Sequence, residues 1–324
     1  MRPLTTGLLA ALSLAVLAGL GAGARAYHRD MTLARAALVG RSQVVETAFG
    51  PVEYAEAGQG PAVLIIHGSG GGFDQGLAFS EPLRGVRRIA PSRFGYLQSP
   101  MPAGATPEMQ ADALAELLTI LGVDQAVILG GSAGALSATQ LAIRHPNLCQ
   151  GLVLVAPALY APDRPPGARA PASPLVDALI QGALGSDLVF WLGMKTAPDL
   201  MTRTVLGTYP ALLATASAGE RRRAREILFH ILPISRRRDG LIMDGATSGA
   251  PPPYDLNQIA CPVLAIAARD DLYGTDRAAA HVAQRAPFAE LVMFEDGGHL
   301  WIGHDQALWA AVSAFISAQA PAAP

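Results

Sequence analysis

The sequence is short of charge, of cysteine and of lysine. Charged residues make up 15% of its 324 positions and apolar ones 51%, far too hydrophobic a balance for an intrinsically disordered chain. Lysine occurs once, at Lys195, and the other basic side chains are arginines or histidines. The formal net charge is −2, so there is no basic surplus and nucleic acid is not an expected partner. The two cysteines, Cys149 and Cys261, form no CxxC pair and join no Cys/His cluster, so no metal site is expected. Each precedes an apolar run, in "NLCQGLVLV" and "IACPVLAI". They are read either as two small buried residues under a sheet or as a disulfide formed in an oxidising compartment. Spacing leaves the pairing open.

What is present begins at the N-terminus. Arg2 precedes an apolar run over 7–23, "GLLAALSLAVLAGLGAG", and Ala24-Arg25-Ala26 fits a small-x-small cleavage site. Residues 1–26 are therefore read as a cleaved secretory signal or as an uncleaved membrane anchor. No polar face interrupts the run, which excludes an amphipathic helix of the fold. With Arg2 on the inner side, the bulk of the chain is expected outside the cytoplasm: periplasmic, extracellular, or attached to a membrane through this segment. Arg25 and Arg29 on the far flank oppose that charge rule. A polar helical stretch is expected over 30–40.

The rest is long enough for one large domain. "SQVVETA" and "VEYAEAG" flank an "FGP" turn and suggest a hairpin. Four apolar runs are uninterrupted, at 62–68, 126–132, 151–157 and 262–268. Such runs are strands buried on both faces, the mark of a parallel sheet. "RRIAPS" and "ELVMFED" are weaker strands. Between them lie helical patterns, "PEMQADALAELLTILG", "SAGALSATQLAIRH" and "DQALWAAVSAFISAQ", the first stopped by Gly122. The expected fold class is α/β, a mostly parallel central sheet flanked by helices. The alternation fails over 158–253, where a Pro- and Arg-rich start leads into "LVDALIQGAL", "LVFWLGM" and "ERRRAREILFHILP". This interval is read as a helical lid inserted between core segments 43–157 and 254–319, with "RRRAR" on a solvated helix face. No internal repeat is visible.

Four clusters carry chemistry. Gly130-Gly131-Ser132-Ala133-Gly134 is G-x-S-x-G at a strand end, opening a helix. A nucleophilic serine needs a sharp, strained turn to project above a sheet, and glycines two residues to either side relieve the crowding. The same turn puts the Ala133 N–H at a helix N-terminus, where it can hold an oxyanion. Next, His67-Gly68-Ser69-Gly70-Gly71-Gly72-Phe73 follows the first buried strand. An N–H of this loop is the expected second oxyanion donor, from Ser69 first and Gly70 second. The loop lacks the G-K-[ST] ending and the G-x-G-x-x-G spacing of nucleotide sites. Third, "ARDDLYGT" offers Asp270 and Asp271 at a strand end, where a carboxylate can fix a histidine tautomer. Fourth, "DGGHLWIGH" holds His299 in a glycine-rich loop. Histidine suits a base because its pKa lets it take and return a proton near neutrality. His304 is expected at the start of the last helix with a structural or surface role.

The chain resembles the α/β-hydrolase superfamily over nearly everything after residue 42, through "HGSGGG", "APSRFGYLQSP", "GGSAG", "RHPNLCQGLVLVAP", "CPVLAIAARDD" and "GGHLWIGH". The resemblance implies Ser132 as nucleophile, Asp271 rather than Asp270 as the acid, and His299 as the base. It implies no metal or organic cofactor. Two positions depart from the family pattern: Ala268, where a glycine is common, and Ser92, where many members have aspartate. Relatives that act on epoxides or haloalkanes carry aspartate at the nucleophile position, so serine points to carbonyl substrates: esters, thioesters, lactones, amides or vinylogous diketones.

The expected function is a serine hydrolase that cleaves a small, apolar carboxylic ester through an acyl-enzyme. Phe73, Phe190 and Trp191 are candidate substrate contacts, and Leu188, Val189, Leu192 and Met194 line an acyl pocket or pack the lid onto the sheet. Alternatives on the same triad are C–C bond hydrolysis, a cofactor-free haloperoxidase-like activity and aminopeptidase activity. The last would need clustered lid carboxylates, which are not evident. A third class is a non-catalytic binding protein, whose cheapest signature would be loss of a triad residue. Nothing in the pattern specifies an oligomeric state.

Overall fold

The computed structural model describes residues 3–164, 182 and 184–319, with side chains from residue 17 onward. Eight strands form one sheet in the order β1-β2-β4-β3-β5-β6-β7-β8. They are β1 (Gln43–Thr47), β2 (Gly50–Ala57), β3 (Ala62–Ile66), β4 (Arg87–Pro91), β5 (Ala126–Gly131), β6 (Cys149–Val155), β7 (Val263–Ala268) and β8 (Ala289–Phe294). The expected hairpin is β1–β2. It pairs antiparallel, and β2 meets β4 antiparallel as well. Every other pairing is parallel. The four apolar runs fall on β3, β5, β6 and β7. Their side chains alternate between two buried faces, which is why the runs carry no polar period.

The helices outside the segment between β6 and β7 are α1 (Pro3–Ala36), α2 (Phe73–Phe79), α3 (Pro107–Ile120), α4 (Gly134–Arg144), α10 (Thr275–Arg285) and α11 (Asp305–Gln319). Between β6 and β7 the described residues form α5 (Asp187–Thr196), α6 (Pro198–Thr204), α7 (Pro210–Thr215), α8 (Ala218–His230) and α9 (Arg238–Gly249). The expected helical piece "LVDALIQGAL" falls almost wholly outside the described residues.

Local chemistry sets the helix ends. In α3 the Thr106 side chain accepts from the Met109 N–H, Pro107 takes the first turn, and Gly122 follows at φ 64. Leu114, Leu117 and Leu118 of α3, with Leu136 and Leu141 of α4, pack on one sheet face against Leu64, Ile128 and Leu152. On the other face Trp309, Val312 and Phe315 of α11 cover Val127, Leu129, Val153 and Leu264. Each fully buried Leu or Val contributes roughly 1.5–3 kcal/mol. Cys149 and Cys261 are buried neighbours, with sulfurs 3.1 Å apart and both thiols free.

The N-terminal segment is helical on both sides of the expected cleavage site. The apolar run and the polar stretch as far as Ala36 are one continuous helix, α1, with no break at Ala24-Arg25-Ala26. Alanine and leucine dominate the joint, and their helix propensity carries the chain past the three glycines of 19–23. From Ala26 onward α1 joins the apolar cluster around α5. Met31 and Ala34 are buried, the Trp191 indole donates to Asp30 Oδ2 at 3.0 Å, and Lys195 Nζ lies 2.9 Å from the same oxygen. Among the described residues no helix is long and apolar enough to cross a membrane.

Burial works to raise the Asp30 pKa, but hydrogen bonds from Trp191, Lys195 and Arg29 outweigh it and hold the carboxyl at about 2. A depressed native pKa stabilises the fold above the unfolded value of about 3.9 and is lost as pH falls towards 2. Asp30→Asn is therefore expected to unfold more easily than wild type at pH 7, with the difference shrinking between about pH 5 and pH 2. Denaturant melts across that range read it directly. An equal difference at every pH would show that the carboxylate charge does not hold α1.

Candidate active site

The chemistry-bearing loops all leave the sheet at one edge, the C-terminal ends of β3, β4, β5, β7 and β8. At the end of β5 the chain reverses at Ser132, whose φ is 51. A β-carbon at Gly134 would lie 2.4 Å from the Ile66 carbonyl oxygen and 2.5 Å from that of His67, and one at Gly130 would lie 2.6 Å from Ala138 Cβ. Both glycines of the G-x-S-x-G pattern are thus required by close packing, as the motif's spacing suggested.

Ser132 Oγ is 3.0 Å from His299 Nε2. His299 Nδ1 is 2.7 Å from Asp271 Oδ2. The imidazole is held in a tight turn at Gly298–Leu300, flanked by Gly297 at φ 119 and Trp301 at φ 42. Asp271 is fully enclosed at its side chain and accepts two further hydrogen bonds from residues just after it: the Tyr273 N–H donates to Oδ1 at 2.8 Å and the Thr275 hydroxyl donates to Oδ2. These bonds orient the carboxylate towards the imidazole, which fixes the tautomer with Nε2 facing the serine. Asp270 turns the other way and accepts from the Gly298 N–H at 2.7 Å, bracing the histidine loop. The structure thus brings Ser132, His299 and Asp271 together and gives Asp270 a supporting place. His304 bonds Asp296 and stacks on Phe294 near the surface.

Loop 67–72 runs past the serine, close enough that a β-carbon on Gly68 would sit 3.1 Å from Ser132 Cβ. The Gly70 N–H donates to Tyr96 Oη at 3.2 Å. Among the described residues, no partner falls to the N–H of Ser69 or of Ala133. His67 is buried, and burial together with the nearby Arg93 cation pushes its pKa well below the usual histidine range. It is neutral, accepting from the Arg93 N–H at Nε2, and supports the loop rather than titrating.

The described residues leave a cavity of about 1080 Å³ in front of the serine, at the top of the range for small-molecule sites. Ser69, Phe190, Leu206, Ile231, Tyr273 and His299 are among its walls. Phe190 thus lines the cavity, but the other two candidates, Phe73 and Trp191, do not and are corrected. Phe73 is buried against Leu38 and Ala55 behind the loop, because the first turn of α2 points it under the sheet edge. Trp191 faces α1, where Asp30 and Tyr27 hold it. Leu188, Val189 and Leu192 neither line the cavity nor pack on the sheet: they are 46%, 49% and 42% exposed. "RRRAR" is only half solvated. Arg223 turns inward to Glu220, Asp305 and the Leu300 carbonyl. Among the described residues no group of three or more His, Cys, Asp or Glu is arranged to hold a metal ion.

Several supporting residues were not singled out from sequence. Glu53 on β2 is buried and accepts from Ser42, Ser92 and Gln98, so its carboxylate sits beside Ser92, the position where the family commonly carries aspartate. Gly207 offers one carbonyl to both the Leu272 and His299 N–H groups, tying the loops of Asp271 and His299 together.

A family model described as "alpha/beta hydrolase fold" matches residues 61–302. Among curated proteins, the 2-hydroxymuconate semialdehyde hydrolase of Pseudomonas sp. (strain CF600) is 35% identical over 106 residues, which are 31% of this chain and 38% of that protein. The match thus spans little more than a third of that relative's own length. An alpha/beta hydrolase fold protein from Nakamurella multipartita superposes with a TM-score of 0.66 at 27% identity, covering 86% of this chain and 100% of the other. An esterase from Exiguobacterium antarcticum gives a TM-score of 0.65 at 17% identity, covering 85% and 99%.

The two elbow glycines make a paired test. Gly134→Ala must push against backbone carbonyls and is expected to cost about 2 kcal/mol or more, whereas a β-carbon on Gly131 meets nothing within 4 Å, and Gly131→Ala should stay within about 1 kcal/mol of wild type. Thermal and denaturant melts of the two variants compare them; equal losses would mean that the packing at 134 is not the constraint.

Proposed function

The chain belongs to the alpha/beta hydrolase fold family, and from that premise we propose that it is a serine hydrolase acting on carboxylic esters. One observation carries the reading: a hydroxyl, an imidazole and a buried carboxylate linked at 3.0 and 2.7 Å at the wall of a large cavity. His299 removes the Ser132 proton, and Ser132 attacks the ester carbonyl. The N–H groups of Ser69 and Ala133 receive the developing oxyanion, the latter from the N-terminus of α4. The alcohol leaves with the proton from His299, and the imidazole then activates water to release the acid.

The cavity volume favours a substrate with an extended apolar acyl or alcohol part over a small ester. The helices between β6 and β7 act in this reading as the lid, and Phe190 meets the apolar part of the substrate. The N-terminal apolar run supports an exported or membrane-anchored enzyme. The buried anchors of α1, Asp30, Met31 and Ala34, all follow Ala26, which is compatible with cleavage there, and N-terminal sequencing that reads Tyr27 rather than Met1 decides for the cleaved form.

A second reading, C–C bond hydrolysis, is favoured by the partial likeness to a 2-hydroxymuconate semialdehyde hydrolase. Turnover of p-nitrophenyl esters of rising chain length, beside a vinylogous diketone, separates the two. Ester hydrolysis is expected to peak at medium or long chains. Ser132→Ala and His299→Ala should each lower kcat by about 10⁴-fold or more. A folded wild-type protein that cleaves only the diketone would move the second reading forward, and one that cleaves neither would point to a binding protein.

A further inference from the structure

Loop 67–72 is gripped by two ion pairs that cross between the sheet core and the inserted helices in opposite senses. Arg93, just after β4, places its guanidinium on Asp244 of α9 in bidentate fashion, at 2.8 and 2.6 Å. Arg237, at the start of α9, places its guanidinium on Asp74 of α2, at 3.1 and 2.8 Å. In each pair one partner comes from the core and one from the insertion. Arg93, Asp244 and Arg237 are all buried.

Each guanidinium also reaches the loop backbone. Arg93 donates to the carbonyls of His67 at 2.9 Å and Gly68 at 3.2 Å. Arg237 donates to the Gly71 carbonyl. Tyr96 completes the set, accepting from the Gly70 N–H and donating to Asp244 Oδ2 at 2.5 Å. Backbone groups of residues 67, 68, 70 and 71 are thus held by charged or buried partners. The Ser69 N–H between them has none among the described residues and lines the cavity beside Ser132.

Buried ion pairs of this kind are a poor source of net stability, since apolar replacements of similar volume often do as well. What they supply is direction. Planar, bidentate guanidinium–carboxylate contacts fix an orientation, and an oxyanion donor must be held to within a fraction of an ångström to act on the transition state. Glycines at 68, 70, 71 and 72 give the loop no stiffness of its own.

We infer that Asp244 and Arg237, contributed by the insertion, are positioning residues for the oxyanion hole, acting through Arg93, Tyr96 and the backbone of 67–71 to aim the Ser69 N–H. The inference rests on the serine-hydrolase reading. It makes α9 a mechanical part of the catalytic centre.

The test compares wild type, Asp244→Asn and Tyr96→Phe with a p-nitrophenyl ester and an alkyl trifluoromethyl ketone, which forms a tetrahedral adduct on the serine. Active sites are counted by titration. Both variants are expected to lose about tenfold or more in kcat per active site, with KM within about twofold and ketone inhibition weakened by the same factor as kcat. Tyr96→Phe removes one hydroxyl without unpairing a charge, so it decides the matter even where Asp244→Asn does not fold. Unchanged kcat per site and unchanged ketone affinity in the folded variants, with only a lower melting temperature, would overturn the inference and leave the serine-hydrolase reading intact. A folded wild type without ester turnover would overturn both.

Discussion

The site depends on a contact between two pieces of backbone. The carbonyls at the end of β3 lie so close to the first residue of α4 that only glycine fits at 134. That approach brings the loop after β3 beside the turn after β5, and so places potential N–H donors on either side of the Ser132 hydroxyl. The left-handed backbone at Ser132 is the strain that accompanies it. Around this contact the parallel sheet acts as a jig. β7 and β8 deliver Asp271 and His299 from the same edge, and their spacing follows from strand separation rather than from any pairwise attraction.

The helices between β6 and β7 also hold the loops of the site. Gly207 ties the loops of Asp271 and His299 through one carbonyl, Arg237 reaches the Gly71 carbonyl, and Asp244 holds Arg93 and Tyr96, which contact the loop at 67–72. A guanidinium or carboxylate left without its partner in the interior costs several kcal/mol, which disfavours arrangements of the loop that open one pair alone. Tyr273 adds to the enclosure: its ring packs edge-on to His299, and burial, with Asp271 nearby, pushes its phenol pKa up.

Sequence pattern made the sheet legible because strands buried on both faces leave long apolar runs, and the four clearest runs are four consecutive inner strands, β3, β5, β6 and β7. Ser132, His299 and Asp271, which the structure brings within hydrogen-bond distance of one another, were legible because each sits at a strand end in a loop whose glycines serve a geometric need, and the family resemblance pointed to Asp271 over Asp270. Residues that act across the boundary were not legible. Asp244 and Arg237 lie in a helical stretch with no motif, and their partners are more than 140 positions away in sequence. Phe73 and Trp191 were misplaced for a related reason. Proximity in sequence to a glycine loop or to an apolar helix says nothing about which way a ring points, and here α2 and the docked end of α1 decide it. The continuity of α1 was hidden by the change from apolar to polar residues, which alters what the helix touches but not its propensity.

The central claim is that Ser132 is the nucleophile aimed by His299 and Asp271. The most direct measurement is peptide mapping by mass spectrometry after reaction with a fluorophosphonate, which reacts with an activated serine and leaves a covalent phosphonyl group. The account predicts one modified residue, Ser132, and loss of the adduct in His299→Ala at equal exposure. An adduct on another residue, or equal labelling of Ser132 without the histidine, would contradict it.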